Sequence, residues 1–101
     1  MNTYVVLLRR MAYRTDHVED TPLDARVISE IATGADVQID KFLVTAGVFD
    51  AVIVCRAANN RAMGRLLDAL HGWHTEALIA THDVRFETIP VSETWHERVD
   101  R

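Results

Sequence analysis

The residues of this chain that could do chemistry are few and dispersed. Asp50 stands at the mouth of an apolar run, Ala51 to Cys55. A carboxylate beside an apolar surface is poorly solvated, which favours its neutral form and makes it a usable proton acceptor. The competing reading is structural, an acid at a strand entrance that bonds backbone amides of the turn. His71, His74 and His82 gather around the last apolar segment. His74, Glu76 and His82 share parity, so an extended segment turns them to one side and makes His74 a second candidate for proton transfer. Eight residues between His74 and His82 span ~26 Å in a strand, too far for one ion to be held by both. His71 and His74, with His17, show no recognised ligand spacing, so no metal is expected. Arg56, with Tyr4, Tyr13 and Trp73, would line a small pocket between the open sheet face and a partner, where an arginine anchors a carboxylate or enolate oxygen; the competing reading is a solvated arginine at a strand end. No nucleophile–base pair and no phosphate-cradling glycine loop is present, and no cofactor is expected.

The 101 residues make one domain, long enough to bury a core without metals or disulfides. Hydrophobic residues are 49% and charged residues 26% of the chain, both ordinary for a globular protein. The net charge is −4 and Lys41 is the single lysine. Nucleic-acid and anionic-membrane binding draw on clustered cations, so neither partner is expected. Cys55 is the single cysteine, which rules out an intrachain disulfide, and its place in an apolar strand suits an inert buried thiol. The first apolar run, Tyr4 to Leu8, is too short for a signal peptide and is followed rather than preceded by Arg9 and Arg10. No window reaches the ~20 apolar residues of a membrane span, and the expected compartment is the cytoplasm.

The elements that must position these groups follow from patterning. Thr3 to Arg9 is a β-branched, apolar strand, and Met11 to Asp20 reads as a loop. Thr21-Pro22-Leu23-Asp24 reads as a helix start capped by Thr21; Leu23, Val27, Ile28 and Ile31 recur at helical spacing, and Gly34 suits a left-handed cap. Val37 to Ala46 and Val48 to Ala57 are strands separated by Gly47 alone, which forces an antiparallel pair. Asn59 or Asn60 caps a second helix whose inner stripe is Met63, Leu66, Leu67 and Leu70, ending at Gly72. Trp73 to Thr81 is the last strand, and a polar tail with Phe86, Pro90 and Trp95 follows. The order β-α-β-β-α-β predicts an α+β, ferredoxin-like domain over residues 1–82, with a four-stranded antiparallel sheet and two helices on one face. The tail, 83–101, is expected to pack on the domain or across a dimer.

The sheet face without helices should be polar. Alternation instead gives Asp50, Val52, Val54 and Arg56 to one side of the third strand and Phe49, Ala51, Ile53 and Cys55 to the other. The second set suits the helices. The first leaves an apolar centre on the open face, on a sheet of roughly 400 Å² in projection. A monomer seldom exposes an apolar patch beyond roughly 300–600 Å², and this centre sits near that limit. Two covers are therefore expected as alternatives: a homodimer with facing sheets, aided by Trp95 and the tail reaching across, or the tail folded back over its own sheet.

The chain resembles the GYD family of small bacterial and archaeal proteins. The resemblance covers about residues 3–82. Its matching segments are Thr3 to Leu8, Phe42 to Gly47, the namesake element here as Gly47-Val48-Phe49-Asp50, and Thr75-Glu76-Ala77-Leu78. Phenylalanine stands where tyrosine is usual, the loop Met11 to Asp20 departs from the family's usual segment, and Ala58-Asn59-Asn60 replaces its acidic turn. The resemblance implies a ferredoxin-like fold of the dimeric α/β-barrel kind and leaves the biochemical function open.

Two functions fit these observations. One is a homodimeric module that binds a small apolar or aromatic ligand or mediates an interaction. The other is a cofactor-free isomerase or monooxygenase, using Asp50 or His74 as proton acceptor and Arg56 to stabilise oxyanion charge. An RNA-binding sheet needs aromatic residues on a basic open face, which this chain lacks.

Overall fold

The structure, a computed structural model, describes residues 1–12, 19–82 and 84. Strand β1 (Asn2–Arg10) leads to helix α1 (Ala25–Gly34), strands β2 (Val37–Val44) and β3 (Ala51–Ala57), helix α2 (Asn60–Ala69) and strand β4 (Trp73–Ile79). The sheet order is β2-β3-β1-β4, and every pairing is antiparallel. This is the ferredoxin-like arrangement expected from the sequence. Tyr13, His17, Phe86, Pro90 and Trp95, and with them the expected packing of the tail, lie outside the described residues.

Alternation decides which face of each strand is covered. Tyr4, Val6 and Leu8 of β1 and Ala51, Ile53, Cys55 and Ala57 of β3 are buried toward the helices. Ile28 and Ala32 of α1 and Ala62, Met63 and Leu66 of α2 close the core from above. Leu23, Ile31 and Leu67 pack at its margin. The helices cover β2, β3 and β1 better than β4, where Ala77 and Ile79 stay exposed on the helix side.

Several local features differ from the sequence expectation, each for a physical reason. Asp24, not Thr21, caps α1. Its extended backbone lets the carboxylate accept from the Arg26 amide at 2.9 Å and the Val27 amide at 3.3 Å. The left-handed residue after α1 is Asp36 (φ 60°), while Gly34 remains the last helical residue. Aspartate tolerates that conformation better than most side chains. Arg65 of α2 lies over this end, donating to the Ala35 carbonyl at 3.3 Å, where a cation suits the helix dipole.

The β2–β3 connection is also longer than expected. The last pair is Val44 with Ala51, which leaves residues 45–50 as a loop. Thr45 donates its amide to the Asp50 carbonyl (2.9 Å) and its hydroxyl to the Phe49 carbonyl (2.8 Å), closing the loop on itself. Gly47 turns the chain with φ 126°, a backbone that L side chains rarely adopt. Strand β2 carries a bulge between Ile39 and Lys41, and β4 ends at Ile79, two residues before the expected end.

Thr21 fills a different position from the one its type suggested. It is buried at the corner where α2 ends and β4 begins. Its amide donates to the His71 carbonyl (2.8 Å) and its hydroxyl to the Ala69 carbonyl (3.2 Å). The hydroxyl oxygen accepts from the His71 amide (3.0 Å), and the Thr21 carbonyl accepts from the Trp73 indole N–H (2.7 Å). One residue thus ties the approach to α1 to a segment about fifty positions later.

Candidate functional site

The open face is built from residues that alternate with the core. Cross-strand register places Val5 opposite Val54 and Leu78, and Leu7 opposite Val52 and Glu76. Leu43 lies opposite Val52, and Lys41 opposite Val54. Val5, Leu7, Val52 and Val54 are half-buried with no helix among the described residues above them, and Leu43 and Leu78 are 49% and 57% exposed. The apolar centre expected from the third strand therefore extends across all four strands.

Polar groups stand at the two ends of this face. At the end formed by the start of β1 and the end of β3, Arg56 meets Asp40, the residue at the β2 bulge. Nε and Nη2 of the guanidinium reach the two carboxylate oxygens at 2.9 and 3.0 Å. These hydrogen bonds, and then the carboxylate's charge, raise the pKa of Arg56 and keep it cationic. The bidentate pair occupies the fork that the sequence reading assigned to a ligand. At the opposite end Arg9 and His74 lie across from each other on β1 and β4. His74 Nε2 is 3.8 Å from Glu76 Oε1 on the same face.

Tyr4 and Trp73 do not line this face, which corrects their expected place between the sheet and a partner. Both turn toward the helices, where large rings gain most by burial. Tyr4 is 3% exposed, and its hydroxyl donates to Asn60 Oδ1 at 2.6 Å. Trp73 is 5% exposed and bonds Thr21 as described. The guanidinium of Arg10 covers the indole at 4.2 Å from its ring centre. Parity groups Tyr4 with Val6 and Leu8, but an apolar first strand gives no sign of which parity faces the helices.

Asp50 is half-buried and continues the β1–β3 ladder. Its amide donates to the Leu8 carbonyl (2.8 Å), and its Oδ2 accepts from the Arg10 amide (2.7 Å). The carboxylate thus acts where the next carbonyl of a longer strand would. This is the structural role that the sequence left open beside the catalytic one. Asp50 and His74 flank the last residues of β1 from its β3 and β4 sides, and no contact joins them.

Two hollows adjoin these groups. One, about 290 Å³, lies beside α2 between Tyr4, Asn60, Leu67 and Ile79. The other, about 430 Å³, lies at the strand end between Arg9, Arg10, Met11, Ala12 and His74. Among the described residues, no three His, Cys, Asp or Glu side chains converge as metal ligands. No helix among them is long and apolar enough to cross a membrane.

Cys55 faces the core from β3, with Sγ 3.9 Å from the Met63 sulfur. Burial, and secondarily the charge of Asp40, push its thiol up to about 11 from 9.0. The neutral thiol is favoured in the folded chain, so its stability contribution is complete below pH 9.0 and is lost as pH rises toward 11. Native protein at pH 8 is expected to resist a thiol-specific disulfide reagent, and denatured protein to release one equivalent per chain. Prompt labelling of the native chain would show Cys55 to be accessible.

No family model and no curated relative matches the chain. Its fold is similar to that in the crystal structure of TTHA0845 from Thermus thermophilus. The TM-score is 0.52 at 21% sequence identity, over 85% of this chain and 100% of that one. A likeness at this identity speaks to the fold and not to a reaction.

Proposed function

We propose that the chain is a GYD-like homodimeric module that binds a small apolar or aromatic molecule on its open sheet face, with a second copy turned toward that face. The observation that carries this reading is the apolar centre formed by Val5, Leu7, Leu43, Val52, Val54 and Leu78, with no helix among the described residues over it. A face of roughly 400 Å² by strand spacing is half of the ~800 Å² per partner in a standard interface. A two-fold dimer sets like residues against a shared axis, so each substitution acts twice.

Sedimentation equilibrium tests the assembly. Wild-type protein is expected to be a dimer at micromolar concentration. Val52→Glu places two new carboxylates in the apolar centre and should weaken the dimer about 100-fold or more, because like charges facing one another cost several kcal/mol and each 1.4 kcal/mol is tenfold. Its far-UV circular dichroism should match wild type, since Val52 faces away from the helices. A wild-type monomer at ~100 µM, far above the dissociation constants of standard interfaces, sinks the reading.

The enzymatic alternative has less to draw on. Arg56 is held by Asp40, and one carboxylate oxygen of Asp50 is held by the Arg10 amide. His74 beside Glu76 is the acid–base pair that remains on the open face.

A further inference from the structure

We propose that the hollow at Arg9 and His74 is an anion site, which takes the carboxylate of a small apolar or aromatic acid whose body lies along the open face. This names a ligand class for the face and rests on the reading of that face as a small-molecule surface.

The cations of the face differ in what they are already bound to. Arg56 is taken by both oxygens of Asp40. Lys41 lies on the edge strand opposite Val54, away from either hollow described above. Arg9 remains, directly across β1–β4 from His74. Two basic groups opposite each other on a sheet repel when both are charged, and an anion between them removes that cost. Glu76 answers His74 only in part, at 3.8 Å and from an exposed position.

The hollow has a fixed wall and sufficient size. Arg10 stacks on Trp73 at 4.2 Å and pairs with Asp20 at 3.3 Å, so its side chain is held in place. A volume of about 430 Å³ falls within the range of small-molecule sites, roughly 300–1,000 Å³. A guanidinium fork matches a carboxylate through two parallel hydrogen bonds.

Neighbouring residues determine the rest of the ligand. Leu7 is two positions from Arg9 on the same face, with Val52 opposite it and Val5 and Val54 beyond. An acid anchored at Arg9 therefore has an apolar floor for its body. Glu76 and Asp20 offset much of the local positive charge. A dianion gains little over a monoanion there, and selectivity falls to the apolar part.

The test is a titration of the full chain by isothermal calorimetry and by proton–nitrogen NMR, using octanoate, acetate and inorganic phosphate as probes. Octanoate is expected to saturate and to bind at least about tenfold tighter than acetate, as burial of a few methylenes requires at ~0.8 kcal/mol each. Phosphate should bind no better than acetate. Arg9→Gln should weaken octanoate about tenfold or more, as loss of a charged hydrogen-bond partner does, and Lys41→Gln should leave it unchanged. Equal affinity for phosphate and octanoate, an Arg9→Gln variant that binds as wild type, or no saturable octanoate binding each overturns the site. Circular dichroism on both variants separates a binding loss from a folding loss. Sedimentation on the same samples separates the two proposals. A monomer with Arg9-dependent octanoate binding keeps the site and removes the dimer, and a dimer that binds no octanoate does the reverse.

Discussion

Thr21→Val should lower the unfolding free energy by about 2–4 kcal/mol, and the thermal midpoint by roughly 10–20 °C for a domain of this size. Valine nearly preserves the volume of threonine, so the effect isolates the hydroxyl. That hydroxyl donates to the Ala69 carbonyl and accepts from the His71 amide. Its removal leaves a donor and an acceptor without their partners in a corner where Thr21 is 6% exposed. Thr21→Ser keeps both bonds and should lose about 1 kcal/mol or less, from the deleted methyl. Thermal unfolding followed by circular dichroism checks both. If Val and Ser variants melt together, the hydroxyl does not hold the corner. The two backbone bonds of Thr21, to His71 and Trp73, survive either substitution, so the fold should persist at low temperature.

Ile53→Ala should cost about 2–5 kcal/mol, the range for truncating a fully buried aliphatic side chain. Ile53 lies in the middle of β3 with no exposure, between Val6 of β1 and Phe42 of β2 on the helix side. Neither neighbouring strand can close the gap without shifting its own register. The adjacent Val52→Ala removes two carbons from the other face, against three for Ile53→Ala. Measured on dissociated protein, it should cost about 1 kcal/mol or less, the span of strand propensities on a half-buried surface. Urea unfolding of both variants reads the difference. Equal losses would mean that both faces of β3 are covered within one chain. A Val52 variant that is destabilised only at high protein concentration would instead report a partner on the open face.

The same contrast shows what could be read from the sequence. Alternation separates Ala51, Ile53 and Cys55 from Val52 and Val54, and helical spacing selects Ile28, Met63 and Leu66. Those local signals are enough for the element order, and the order brings the two helices to one face. The features that escaped depend on partners distant in the chain. Thr21 looks like a helix cap because its type suits one, yet its bonds go to Ala69, His71 and Trp73. Asp40 and Arg56 meet because of a bulge, and a bulge leaves no mark in the pattern of β2. Tyr4 falls on the face opposite to the expected one because β1 is apolar at both parities. For the site, Asp50 and His74 could be found by type and position, but the bond from the Arg10 amide to Asp50 had no signal of its own. Arg9 gives no signal either, because two arginines after an apolar run read as a solvated strand end.

The bulge in β2 has a consequence for how the chain behaves when crowded. Edge strands can recruit foreign strands, and proteins discourage this with irregular backbone and charge along the border. The border at β2 has both, an interrupted register with Asp40 and Lys41 beside it. At β4 the register is unbroken from Trp73 to Ile79, and it closes on Ala77, Leu78 and Ile79, all exposed. Among the described residues, the sheet therefore has one guarded border and one permissive border. Any templated stacking of copies would begin at β4, so a lysine at Ala77 is the natural place to suppress aggregation during purification or storage.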